Sequence, residues 1–355
     1  MPYFTAAFGA APPANRWWRT TAVAAVALGA LGVSIGVVAG VPNLAAGGGL
    51  AYIAGIVMAG GAALRPLGGR LGPVRGLLTP GYIIALGEVA IGASIATLYV
   101  GGWGPLAERW GSLKPAHAWL NLVGFVSLVI ATTLLHFFPT VVGARIVRRG
   151  STLLTIAGLG VGAPLVALGF AVDGDALARI GAVATGVGAL ALAVNCGRTW
   201  LTRSRWTTDP GWHWFAIGGL VSAIAWFEVG IAVAAGRVLV LGASPAAWSV
   251  DELIGPLIVG WVLLTIVASA THLVPAIGPG DPTTHAGQRR ILGTAATIRL
   301  ALLNLGVAWL SLGLAVRLDL LSLAGVVAIG GGLASTMILI VRSVRLGLRR
   351  RSPEA

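Results

Sequence analysis

The stretch P-A-H-A-W-L-N-L-V-G-F-V-S-L-V-I-A-T-T-L-L-H-F-F-P-T-V-V-G, from Pro115 to Gly143, is long enough to cross a bilayer as one helix. It nevertheless carries His117 and Asn121 at one end and His136 and Pro139 at the other. Polar side chains cost free energy in hydrocarbon, so a histidine inside a span marks a functional site by default. The stretch also recurs. Gly124 precedes His136 by twelve residues and Pro139 follows by three; Gly260, His272 and Pro275 repeat that spacing. The chain has only five histidines, so two in one register with a Gly and a Pro point to an internal duplication.

Working outward, the composition fits this reading. The 355 residues are 57% hydrophobic and 10% charged, with a mean hydropathy of +0.90. A soluble domain carries about 25% charged residues. The expectation is therefore an all-α integral membrane protein, one polytopic domain over 1–355. Ten helices are predicted at about 20–41, 49–65, 78–101, 117–139, 152–172, 179–197, 212–236, 251–274, 293–315 and 321–343. The first is too long for a signal-peptide core and lacks a cleavage site, so it reads as a true span. A single cysteine, Cys196, excludes an intrachain disulfide and reads as a small buried hydrophobe.

The net charge of +13 raises a nucleic-acid reading, which its placement rejects. One set of loops holds Arg16 and Arg19; Arg65, Arg70 and Arg75; Arg145, Arg148 and Arg149; Arg198, Arg203 and Arg205; Arg289, Arg290 and Arg299; and Arg342, Arg345, Arg349, Arg350 and Arg351. The opposite loops hold only Arg109, Lys114, Arg179, Arg237 and Arg317. That asymmetry predicts a plasma-membrane protein with both termini in the cytoplasm. Trp17, Trp18, Trp200, Trp206, Trp212 and Trp214 at one set of ends, and Trp103, Trp110, Trp119 and Trp248 at the other, read as aromatic belts.

The duplication extends to helices three and seven, where Gly87-Glu88-Val89-Ala90-Ile91 resembles Phe227-Glu228-Val229-Gly230-Ile231. Helices one to four then correspond to five to eight, with unit one at about 16–149 and unit two at about 150–290. A partial third unit covers about 291–345, before a basic tail at 346–355. Units of four helices enter the membrane in the same sense, so their axis should lie along its normal.

His136 and His272, each in the last turn of an inward-running helix, are the first candidates for binding haem or copper. The bland alternative is an interfacial residue favoured by the helix C-terminus. His117, a further cofactor-binding candidate whose bland alternative is a headgroup-level residue, shares a helix face with Asn121 four residues on, and lies about 28 Å along the helix from His136, too far to share an ion with it. Glu88 and Glu228 are the acidic residues well inside the spans. A buried carboxyl is protonated, paired or part of a proton or ion path. His213, between two tryptophans, reads as interfacial, and His285 in G-P-G-D-P-T-T-H-A-G as a solvated loop residue. No phosphate-binding Gly-rich loop with a Lys and no C-x-x-C-H site is present.

The string H-A-W-L-N-L-V-G from His117 to Gly124, closed by His136 and Pro139, resembles the H-A-H-x-N-L-x-G…P repeat. That repeat marks membrane proteins related to haem–copper oxidase subunit I, including the NnrS-like family. The resemblance implies four-helix units arranged by pseudo-rotation about the membrane normal, bound haem and often copper, and a role in respiratory, nitric-oxide or copper metabolism. Redox partners or other membrane subunits would follow, and no nucleic acid. This sequence departs from the pattern at Trp119, which stands where the second His belongs. Helices two, six and ten carry no histidine. Two alternatives stay open: a non-catalytic accessory subunit, and a small-solute or ion transporter using Glu88 and Glu228.

Overall fold

A computed structural model describes residues 15–64, 78–144, 149–204 and 213–349. Arg65, Arg70, Arg75, Arg145, Arg148, Arg205, Arg350, Arg351, Trp206 and Trp212 lie outside the described residues, as does the end of the basic tail. The described residues form helices and no strand. Ten helices are long and apolar enough to cross a membrane. They are α1 (Arg16–Val38), α2 (Pro42–Leu64), α3 (Leu78–Val100), α4 (Trp110–Val142) and α5 (Arg149–Val172). Then come α6 (Asp175–Leu201), α7 (His213–Leu241), α8 (Pro245–Ile277), α9 (Ala296–Ala315) and α10 (Asp319–Arg349).

The chain gathers into two compact units. Of the described residues, the first holds those up to Thr133, 149–192 and Ala234–Trp248; the second holds 134–144, those described within Ala193–Val233, and Ser249 to Arg349. The first unit buries a cluster of Ile56, Leu86 and Val89, packed by Val26, Tyr52, Ala90 and Phe125. In the second, Phe227 stacks on Trp261 with ring centroids 4.4 Å apart.

A glycine pattern hidden in the composition sets three helix pairs. Gly29, Gly36, Gly48 and Gly55 are spaced by seven, twelve and seven residues; Gly162, Gly169, Gly181 and Gly188 repeat that spacing, and so do Gly306, Gly313, Gly325 and Gly332. Each set joins a helix to the next one at backbone distance. In α1/α2 a Cβ on Gly48 would stand 2.5 Å from Val33 N; in α5/α6 one on Gly181 would stand 2.5 Å from Val166 N. In α9/α10 one on Gly325 would stand 2.5 Å from Leu310 N. Small residues allow such approach where no hydrophobic force separates helix from lipid. The third set falls in α9 and α10, which the sequence reading assigns to a partial third repeat.

Two features escaped the sequence. Inside α4, residues Trp119–Ser127 wind as a π-helix, and inside α8 so do Ile254–Leu263. Gly124 and Gly260 lie in these segments, so the duplicated register extends to an unusual backbone form. Side chains meet carbonyls in the first: Asn121 Nδ2 donates to His117 O at 2.7 Å, and Ser127 Oγ to Leu122 O at 2.8 Å. Such side-chain bonds satisfy backbone groups that the wider turn displaces from their ordinary partners. The helix also starts at Trp110 rather than near 117 and carries Pro115 within its first turns.

The segment after α8 is a correction. Pro282–Gly293 is a short helix, not a loop: Asp281 Oδ1 accepts Thr284 N at 2.6 Å and Pro282 sits at the first turn. His285 is half-buried there, with Nε2 3.3 Å from Gly278 O, and is not a solvated loop residue. Ala295 follows at φ +49°, a left-handed conformation that costs an L-residue about 1 kcal/mol more than Gly. Ala295→Gly is expected to raise the thermal midpoint of the purified protein by a few degrees, read by static light scattering on heating.

Candidate functional site

In the first unit the site grows from the α3–α4 seam. Glu88 is 3% exposed, and neither carboxyl oxygen has a hydrogen-bond partner among the described residues. Its carboxyl group occupies the space that a side chain on Gly124 would take, with Ala163 of α5 beside it. One helical turn along α3, Gly92 faces Asn121 in the same way. The Gly92 carbonyl lies 2.7 Å from His117 Nδ1. A carbonyl only accepts, so Nδ1 carries the hydrogen and Nε2 keeps its lone pair. Asn121 Nδ2 lies 3.0 Å from that Nδ1 while donating to the His117 carbonyl.

His117 and Asn121 also line a cavity of about 350 Å³, with Ser34 of α1, Tyr52 of α2 and Thr97 of α3 among its other walls. The sequence placed His117 and Asn121 on one face, and they do meet. The His117 ring is half-buried in a cavity wall. Trp119 is fully buried and packs on Trp248, with ring centroids 6.1 Å apart.

The second unit centres on His272, 8% exposed. The edge of its ring meets Phe137 at 5.6 Å between centroids, and His213 lies 6.3 Å away at 59° between planes. His213 is 7% exposed, its imidazole packed inside the protein. It lies in α7 next to Trp214, whose side chain is half exposed. His136 is half-buried, and its carbonyl accepts Thr140 Oγ1 at 3.2 Å. A separate cavity of about 390 Å³ is lined by Phe138, Cys196, Trp200 and Trp214, and by neither His213 nor His272.

The two glutamates of the repeat differ in setting. Glu228 is half-buried, whereas Glu88 is 3% exposed, with Gly124 and Ala163 against its carboxyl group. Gly260, the counterpart of Gly124, faces the Trp226 side chain, whose Nε1 donates to Asn304 Oδ1 at 3.0 Å. Among the described residues no group of three or more His, Cys, Asp or Glu side chains is placed to hold one ion. No family model, curated protein or solved structure matches this chain.

Proposed function

We propose that this multi-pass membrane protein holds copper(I) between His213 and His272, as a divergent relative of the haem–copper oxidase subunit I and NnrS-like proteins that its H-A-W-L-N-L-V-G string resembles. The carrying observation is the pair of buried imidazoles, 6.3 Å between centroids. Two imidazoles binding one ion from opposite sides, at metal–nitrogen distances of about 2.0–2.1 Å, have centroids roughly 6 Å apart. Imidazole is a good ligand for copper, and copper(I) tolerates the two-ligand set that these residues offer. Haem fits less well, because a macrocycle needs an open slot beside the rings and the neighbouring cavity is lined by neither histidine. Copper chemistry at this site would be one-electron exchange with a redox partner in the membrane. The arginine asymmetry supports placing both termini in the cytoplasm of a cell whose plasma membrane holds the chain.

The purified full chain, titrated with copper(I) under reductant against a colorimetric chelator, is expected to bind one ion. X-ray absorption should show two short copper–nitrogen distances. His213→Ala and His272→Ala should each remove stoichiometric binding, while His136→Ala retains it. Binding that survives in the double variant, or a parent protein that takes up no copper, overturns the proposal.

A further inference from the structure

We propose that the first unit contains a proton-exchange site, in which Glu88 holds a proton between α3, α4 and α5 and trades it with the 350 Å³ cavity through His117. Membrane helices rarely carry an enclosed carboxyl group with no use. Glu88 is such a group: 97% of it is shielded if its exposure is 3%, and neither oxygen has a partner among the described residues. Glycine at position 124 leaves room for it, and the next rung of the same seam is Gly92 against Asn121 and His117.

The chemistry of that rung is asymmetric. His117 spends its Nδ1–H on the Gly92 carbonyl, so Nε2 is the atom that can receive a proton. Glu88 and Gly92 stand four residues apart on α3, about 6 Å along the helix axis, so they form successive rungs of one seam, and the proton passes between the rungs through water. In the exchange the Glu88 O–H bond breaks and an N–H bond forms at His117 Nε2. The carboxylate and imidazolium that result are an adjacent ion pair with no net charge, far cheaper in hydrocarbon than a lone ion. Release of the Nε2 proton to water in the cavity, and its return, completes the exchange. The Gly92 carbonyl positions the imidazole, and Tyr52 is the other titratable side chain on the cavity wall. The site is independent of copper at His213 and His272, so the test uses metal-free protein.

Two measurements on the full chain in lipid nanodiscs test it. Dicyclohexylcarbodiimide adds to protonated carboxyl groups in apolar surroundings: the acid proton moves to a carbodiimide nitrogen and the carboxylate oxygen bonds the central carbon. Mass spectrometry is expected to find the rearranged N-acylurea on Glu88 in the wild type. In infrared spectra, a carboxylic C=O band that disappears in Glu88→Gln should shift on transfer to D2O. His117→Ala should slow that shift by about tenfold or more, as expected for loss of a positioned proton carrier, and added imidazole should restore it. Ala96→Leu, which narrows the cavity, should slow it too. An unlabelled Glu88 with no Glu88-dependent band, a band indifferent to D2O, or a shift as fast in both cavity variants as in the wild type overturns the proposal.

Discussion

Gly181→Val is expected to leave little folded protein. A Cβ at Gly181 would stand 2.5 Å from Val166 N and 2.7 Å from Gly162 O, atoms of the α5 backbone that no rotamer change can move. The helices must part, and with them go the neighbouring contacts of Gly158, Gly169 and Gly188, which share the seam. Overpacking of this kind costs about 1–3 kcal/mol where side chains can yield, and more where backbone opposes backbone. Gly186 supplies the control, because a Cβ there meets nothing within 4 Å. Gly186→Ala should match or exceed wild-type stability, since alanine is the better helix former by about 0.8–1.0 kcal/mol. Size-exclusion profiles and thermal midpoints of both variants in mild detergent decide the matter. Equal, monodisperse profiles for Gly181→Val and wild type would mean that the α5/α6 seam is not close-packed. The same substitution at Gly48 or Gly325 tests whether the other two seams respond alike.

These glycines were present in the sequence but not legible there. With 53 glycines in 355 residues, a small-residue motif arises almost anywhere, and only the recurrence of a seven, twelve, seven spacing separates the seams from the background. The spans themselves were legible because apolar length alone identifies them. Their ends were not. Helix α4 starts at Trp110 because Pro115 is tolerated inside it, and hydropathy, which identifies a span, does not tell the π-helical turns of α4 and α8 from ordinary ones. At the sites, the repeat register singled out His272, but burial depends on which way a helix faces. His213 is next in sequence to Trp214, which is half exposed at 50%, so its own inward orientation had no signature in the sequence. The Glu88–Gly124 contact joins residues 36 apart in sequence, on helices whose register against each other the sequence does not state.

Arg299 shows the same limit from the electrostatic side, and its removal should be the most damaging single change in the second unit. By sequence it belongs with the loop cations that set topology; in the structure it is 2% exposed in the first turn of α9. Its guanidinium donates from Nε to Thr294 O at 3.0 Å, from Nη1 to Thr336 Oγ1 at 3.2 Å, and from Nη2 to Leu292 O. The Arg299 Cζ also lies 4.2 Å from the centre of the Phe215 ring. One side chain thus closes the end of the Pro282–Gly293 helix, ties α9 to α10 through Thr336, and fills the space over an aromatic of α7. Arg299→Met keeps the volume but leaves two carbonyls without that donor, at about 1–3 kcal/mol for each buried group. The cation–π contact adds roughly 1–2 kcal/mol when desolvated. Arg299→Lys should recover little, because an ammonium lacks the planar fork that reaches three acceptors at once. Both variants are expected to lose folded yield and to unfold well below the wild type in a thermal scan. A Lys variant as stable as the parent would show that the site needs only a buried positive charge. A Met variant as stable would show that the guanidinium network contributes nothing net.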